Sequence, residues 1–453
     1  MSMHREMEAR ISRAADVYRP IGGWIERPSD PQPALEGEVS ADVVIVGAGF
    51  AGLSTALELT ARGAQVVVLE REFAGFGASG RNAGYLAGGQ GLDYHLFMKR
   101  VGREQVSRIV RYFEDGVAYV EQKLDQYGID CDYIRSGLIR AGVHASQQKV
   151  LRANMELGIE LGAPARYLDE AEMRARGIPP AFLFGYATPG GGTLHPGKYV
   201  SGLRRAAIAA GVKLYESSPV RSFSEGATIA CRTDRGVVHA PHLVLASNAY
   251  TPQLGLLRDK VAPLRVSAIE TEPLSDAQIA SLGWHGREGI TTQHLVMESH
   301  RLTAHNSLVI TTKRLDYAYG SSTPNIAAKP TYRDLAVALY ERFPTLRDVS
   351  IRSSWSGYIS FAYDGLPVVG ATGDHRNIHY TAGCSGHGVG TQSFVGLLLA
   401  ERIKGETHPY YAALQHKTPS TLPEPLQWVA IKSLLGGAHF MDERVNRRVR
   451  RNS

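Results

Sequence analysis

The sequence predicts a two-domain α/β fold, in which a Rossmann-like nucleotide-binding domain is intertwined with a mixed-sheet second domain. Three observations carry this. With 453 residues, the chain is long for a single core. Residues 42–70 read as strand, glycine-rich turn, helix and strand. Alternation of apolar and polar residues, the period of a sheet, recurs in a separate stretch from 261 to 355, as in LRVSAIETE and NSLVITTK.

The first element is the apolar run Val43 to Val46, which enters the turn Gly47-Ala48-Gly49-Phe50-Ala51-Gly52. Gly47 permits a tight turn. Gly49 has no side chain to keep a pyrophosphate off the backbone, and Gly52 lets the helix pack closely on the strand. The free N–H groups at the helix start, where Phe50 and Ala51 lie, attract phosphate. A second apolar run, Val66 to Leu69, ends on Glu70, placed to accept from ribose hydroxyls, and Arg71 follows. Gly75 to Gly84 then reads GFGASGRNAG, with Ala78, Ser79, Arg81, Asn82 and Ala83 among its four glycines. Its backbone suits a large flat ligand. A nicotinamide enzyme has no need of this second loop, whereas FAD extends across that region. Arg81 and Asn82 either meet the flavin or brace the loop.

These segments resemble the glycine oxidase and D-amino-acid oxidase family of flavoproteins, above all its gamma-glutamylputrescine oxidase branch. The resemblance runs from about 40 to 405. It includes GVKLYESSPV ending at Val220, LVLASNAY, RVSAIETEPL, WSGYISFAYDGLPVVG and YTAGCSGHGVG. It implies one FAD per chain, with Val220 touching the adenine through its backbone. It also implies hydride transfer from an amine carbon to flavin N5, hydrolysis of the resulting imine, and passage of electrons to oxygen or another acceptor. Gly386, His387, Gly388 and Val389 open a helix whose N-terminus suits the negative charge of reduced flavin. His387 either adds positive charge there or bonds the backbone as a loop histidine. Relatives with a covalent flavin carry a cysteine where this chain has Gly357, so the resemblance implies non-covalent FAD, with Cys384 a small buried hydrophobe.

Relatives that oxidise D-amino acids or glycine grip the carboxylate with an arginine just before the DGLP-like motif. That position is Ile359 here, beside Tyr358. An amine on a longer chain is therefore expected, with Arg301 meeting a distant acidic group and Tyr358 walling the pocket. Arg301, Tyr358 and His387 form the expected catalytic set. Lys313 is a weaker candidate for oxygen activation, and Tyr250 and His195 are weaker pocket candidates. Asp364 binds cofactor or caps a turn. The alternatives are a D-amino-acid or hydroxy-acid dehydrogenase on the same fold, and a catalytically silent FAD-binding subunit.

The expected domains are an extension (1–39), an FAD-binding domain (40–91, 191–260 and 356–410), a substrate domain (92–190 and 261–355) and a tail (411–453). The helices after Leu92 are expected to serve the substrate domain. Three scattered cysteines indicate neither a disulfide framework nor zinc, and fit the cytoplasm. No secretory leader or spanning segment is read. Net charge is +6, with five arginines between Arg444 and Arg451. They read as a solvated, partly disordered terminus, with peripheral membrane contact the less favoured reading. Nothing suggests a nucleic-acid partner, since aromatic residues do not interleave with the basic ones.

Overall fold

The computed structural model describes residues 2–452, with side chains from 8 to 451. Its first domain is built on a six-stranded sheet ordered Val368–Thr372, Ile378–Ala382, His242–Leu245, Val43–Val46, Val66–Leu69 and Lys213–Tyr215. All neighbours are parallel except the first pair. Successive side chains of a strand face opposite ways. Val43 and Ile45 thus join a core with Leu53 and Leu57 of the helix Phe50–Ala61. Val44 and Val46 join Ile229, Cys231 and Val238 of a four-stranded sheet on the other side. Burial on both faces explains the unbroken apolar runs.

The second domain is an eight-stranded mixed sheet. Its order is Ile351–Ala362, Val261–Thr271, Leu308–Thr312, Glu298–Leu302, Gly289–Thr292, Leu138–Gly142, Phe184–Thr188 and Arg166–Leu168. One face packs Ile139, Ile290, Leu302 and Ile310 with Tyr332, Leu335 and Leu339 of the helix Lys329–Arg342. The other face looks toward the first domain.

Several elements depart from expectation. The helix Arg103–Tyr127 packs on the nucleotide side: Tyr119 Oη donates to Glu58 Oε1 at 2.8 Å, and Tyr112 Oη donates to Thr391 O at 2.7 Å. Its Gly116 faces Gly390 so closely that a Cβ there would lie 3.2 Å from Gly390 C. The boundary expected at 356 falls inside the strand Ile351–Ala362. The segment before residue 40 is built into both domains: Ile11 and Ala14 enter the substrate-side core, and Gly37–Ser40 pairs in parallel with Gly236–Ala240. The C-terminal arginines lie on an ordered helix, Leu426–Asn452, rather than a partly disordered end; Arg450 pairs with Glu341 and Glu443. Among the described residues, no helix is long and apolar enough to cross a membrane.

Candidate active site

Between the six- and eight-stranded sheets lies a cavity of about 580 Å³. Its floor begins at Gly47, where φ is +106° and a Cβ would meet Ala246 O at 2.9 Å. Gly49 opens the helix Phe50–Ala61 with no side-chain cap. Ser79 Oγ reaches over it to accept from Phe50 N at 2.9 Å. Glu70 is buried and anchored to the backbone; its carboxylate accepts from Ala48 N at 2.9 Å and Glu72 N at 3.1 Å. Burial raises its pKa, against those bonds. Phe50, Ala51, Arg71, Ala78, Ala83 and Val220 also line the cavity. Gly52 and Gly84 lie behind the wall: a Cβ on Gly52 would sit 1.9 Å from Gly47 O, and one on Gly84 2.3 Å from Leu194 O.

Arg81 and Asn82 line the cavity and also brace the loop. Arg81 donates from Nε to Phe76 O at 2.7 Å and from Nη1 to Ser356 O at 3.0 Å. Asn82 donates to Ser79 O at 2.8 Å and accepts from Gly84 N at 2.8 Å. Trp24 completes the clamp, its indole N–H donating to Asn82 O at 2.7 Å.

At the other end, Gly386, His387, Gly388 and Val389 meet the cavity at the N-terminus of the helix Gly388–Ile403, again without a side-chain cap. His387 Nε2 bonds Gln90 O at 2.8 Å, which fixes the proton on Nε2 when the ring is neutral. Burial lowers its pKa, although the bond to the Gln90 backbone opposes the shift. Burial therefore favours the neutral form of the ring. Cys384 lies beside it, its thiol pKa raised by burial.

The roof is one cross-strand row. Ala268 pairs with Thr311, Thr311 with Ser299, and Ser299 with Thr291. All four line the cavity, together with Tyr358 and Ile359. Tyr358 Oη donates to Pro324 O at 2.9 Å. The hydroxyl row was missed in the sequence; its signal is the alternation of GITT, ESHRL and LVITT.

The structure takes other candidates away from the cavity. Arg301 sits under the Trp24 ring, 4.7 Å from its centroid, beside a separate space of about 50 Å³ lined also by His195, Asp132 and Glu270. Burial pushes its guanidinium down to about 10. His195 caps the helix Pro196–Ala209. Lys313 is buried against Glu298 at 2.8 Å, outside the cavity lining, so it offers no cation over the site. Asp364 takes its turn role, accepting from Leu366 N at 3.2 Å. Tyr250 lines the cavity and carries the Arg71 guanidinium 4.2 Å above its ring.

Among the described residues, five buried atoms on the cavity wall have no hydrogen-bond partner: Gln90 Nε2, Asn248 Oδ1, Thr291 Oγ1, His387 Nδ1 and Gln392 Nε2. Buried polar atoms need partners, so this wall is built for a polar ligand. Glycines at one end and two helix N-termini without side-chain caps suit an elongated dinucleotide with phosphates. The residues present fit FAD.

Residues 42–402 match the family of FAD-dependent oxidoreductases known as DAO. The chain belongs to this family. It is thus an FAD-dependent oxidoreductase, of the class that acts on C–N bonds of amines and amino acids. Among its relatives, the probable oxidoreductase OrdL of Haemophilus influenzae is 30% identical over 83% of this chain and 85% of that protein. The gamma-glutamylputrescine oxidoreductase of Escherichia coli is 30% identical, over 85% and 89% respectively. Solved structures of this oxidoreductase fold include glycine oxidase from Geobacillus kaustophilus (TM-score 0.66, 22% identity, 82% of this chain and 96% of that one). L-proline dehydrogenase from P. horikoshii superposes with a TM-score of 0.67, at 22% identity over 83% and 95%.

Proposed function

We propose that the protein oxidises an amine whose reacting carbon bears no carboxylate, on a longer chain of the gamma-glutamylputrescine type. The carrying observation is the uncharged roof. Thr311, Ser299, Thr291, Tyr358 and Ile359 present hydroxyls and apolar surface, and no cation. A carboxylate buried there would lack a partner, at considerable cost. The arginines on the cavity lining are Arg71, Arg81 and Arg221. Arg71 covers Tyr250, Arg81 is bonded to backbone carbonyls, and Arg221 is paired with Asp234.

Bound FAD would supply the hydride acceptor for the carbon next to the amine nitrogen. The chain's own residues orient and exclude. The expected cofactor contacts are Gly47, Gly49, Phe50, Ala51, Glu70, Arg71, Ala78, Ser79, Ala83 and Val220 at one end, and Gly386, His387, Gly388 and Val389 at the other. The roof keeps the amine against this floor and shuts out bulk water, so that orientation does most of the work. Tyr358, held by Pro324, forms a fixed wall.

The test is an anaerobic substrate panel read by flavin bleaching, followed by peroxide release in air. Gamma-glutamylputrescine or N-alkyl amines are expected to bleach the flavin. Glycine and D-alanine should do so on the order of 100-fold more slowly, the worth of a missing charged hydrogen bond. Rapid bleaching by D-alanine with none by the longer amines overturns this reading. Bleaching by nothing leaves the silent FAD-binding subunit. Ketone products without amine release point to a hydroxy-acid dehydrogenase. In the same assay, His387→Ala should slow flavin reduction more than it weakens FAD binding; an unchanged rate reduces His387 to loop packing.

Non-covalent attachment belongs to the same proposal. Gly357 offers no thiol, and a Cβ there would touch Arg81 Cβ at 3.0 Å. Flavin left on the pellet after acid precipitation would refute it. The proposed location is the cytoplasm, which suits three free, buried cysteines; recovery from a membrane or periplasmic fraction would count against it.

A further inference from the structure

The roof row does not stop at Thr291. The next residue across the sheet is Arg140, paired in parallel register with Thr291. Neighbouring strands lie about 4.8 Å apart, so Arg140 stands one strand spacing from the cavity wall, on the same face. It is 8% exposed. Nε donates to Gln293 Oε1 at 2.7 Å, while Nη1 is buried and has no partner among the described residues. Among the described residues no carboxylate forms an ion pair with it. The acid on the nearby helix, Glu114, is bonded to Gly89 N instead. Tyr186 is the next residue in the row, and its hydroxyl accepts from Gly91 N at 3.3 Å. The backbone of Gly91 lies close against the guanidinium: φ there is +85°, and a Cβ would lie 2.9 Å from Nη1.

A buried guanidinium without a counter-charge is costly, and a planar fork with a free prong suits a carboxylate. Arg301 also has unpartnered nitrogens, Nε and Nη2, but it lies off the cavity, in the small separate space with Glu270 and Asp132 and with Trp24 over its face. Beside Arg140, Thr291 Oγ1 and Gln90 Nε2 are also unpartnered and line the cavity. We propose that Arg140, with Thr291 beside it, binds a carboxylate carried by the substrate far from its reacting carbon. This rests on the amine reading above. It assigns the acidic end of the substrate to the strand Leu138–Gly142 and the reacting end to the middle of the roof.

The test uses flavin-loaded wild type, Arg140→Gln and Arg140→Lys. The probes are N-glutarylputrescine and N-pentanoylputrescine, matched acylated amines with and without a terminal carboxylate. Anaerobic reduction gives an apparent dissociation constant for each. Wild type should prefer the carboxylated amine on the order of 10- to 100-fold, and Arg140→Gln should erase that preference. Arg140→Lys keeps the charge but loses the fork, so it should retain part of the preference; it carries the test if Arg140→Gln fails to load flavin. No preference in wild type, or one that survives substitution, overturns the proposal. Glutarate, which cannot react, supplies a readout apart from turnover: it should perturb the flavin spectrum of wild type and bind Arg140→Gln on the order of 10-fold more weakly. If neither amine reduces wild type, the amine reading fails, and glutarate alone decides: weaker binding to the variant supports Arg140, equal binding overturns it.

Discussion

Gly49→Trp should yield a folded but colourless protein. Gly49 has φ −88° and ψ −169°, extended backbone that any residue adopts, so the substitution brings no conformational strain. Its fault is position. A Cβ there would lie 2.8 Å from Ser79 Oγ, the atom that accepts from Phe50 N at the helix start. An indole would fill the ground on which a phosphate meets those N–H groups. Flavin absorbance per chain is the measurement, with circular dichroism as the folding control. Thermal stability should match that of wild type stripped of flavin, because loss of the ligand alone lowers the transition temperature. A yellow, fully loaded variant would remove this turn from the cofactor site. Gly47 would be a poorer probe: at φ +106° a side chain there strains the backbone, so colour and fold would be lost together.

The largest expected loss of stability is at Glu298, which is 1% exposed. Its carboxylate accepts from Lys313 Nζ at 2.8 Å and from Arg342 Nε at 2.9 Å. Arg342 Nη2 also donates to Asn446 Oδ1 at 2.7 Å, which joins the C-terminal helix to the sheet. Glu298→Gln keeps the shape but leaves two buried cations without their counter-charge, a loss of about 3–5 kcal/mol. Denaturant unfolding at neutral pH measures it, and a loss below about 1 kcal/mol would show the trio to be dispensable. The pH dependence has a definite sign. Burial would raise the Glu298 pKa, but Arg342 and Lys313 outweigh it and hold the carboxyl well below its ordinary 4.5. A carboxylate with a lowered folded pKa contributes fully above its unfolded pKa and loses that contribution as pH falls toward the folded value. The gap between wild type and Glu298→Gln should therefore be widest above about pH 5 and narrow in acid.

What was legible in the sequence is what the backbone demands locally. Gly47, Gly49 and Gly52 announce a turn, a close approach and a helix contact within six residues. The loop from Gly75 to Gly84 and the helix opening at Gly388 are equally local. The roof was not legible in this way. Thr311, Ser299, Thr291 and Arg140 come from four strands, and only cross-strand register puts them in a row. Arg301 is expected from the sequence to meet an acidic group, yet Trp24, far away in sequence, covers it. The partner of the helix Arg103–Tyr127 was likewise hidden, because Gly116 meets Gly390 only in the folded chain.

Each strand of the roof has two lives. In Glu298–Leu302, Ser299 looks into the cavity while His300 and Leu302 face the opposite side, where Leu302 enters the core. In Gly289–Thr292, Thr291 looks in and Ile290 is core. Odd and even positions of the same few residues therefore answer to separate demands, one for what the enzyme accepts and one for whether it folds. Selection can redraw the chemical texture of the roof, exchanging hydroxyl for methyl or amide at one parity, while the other parity holds the sheet to its helix.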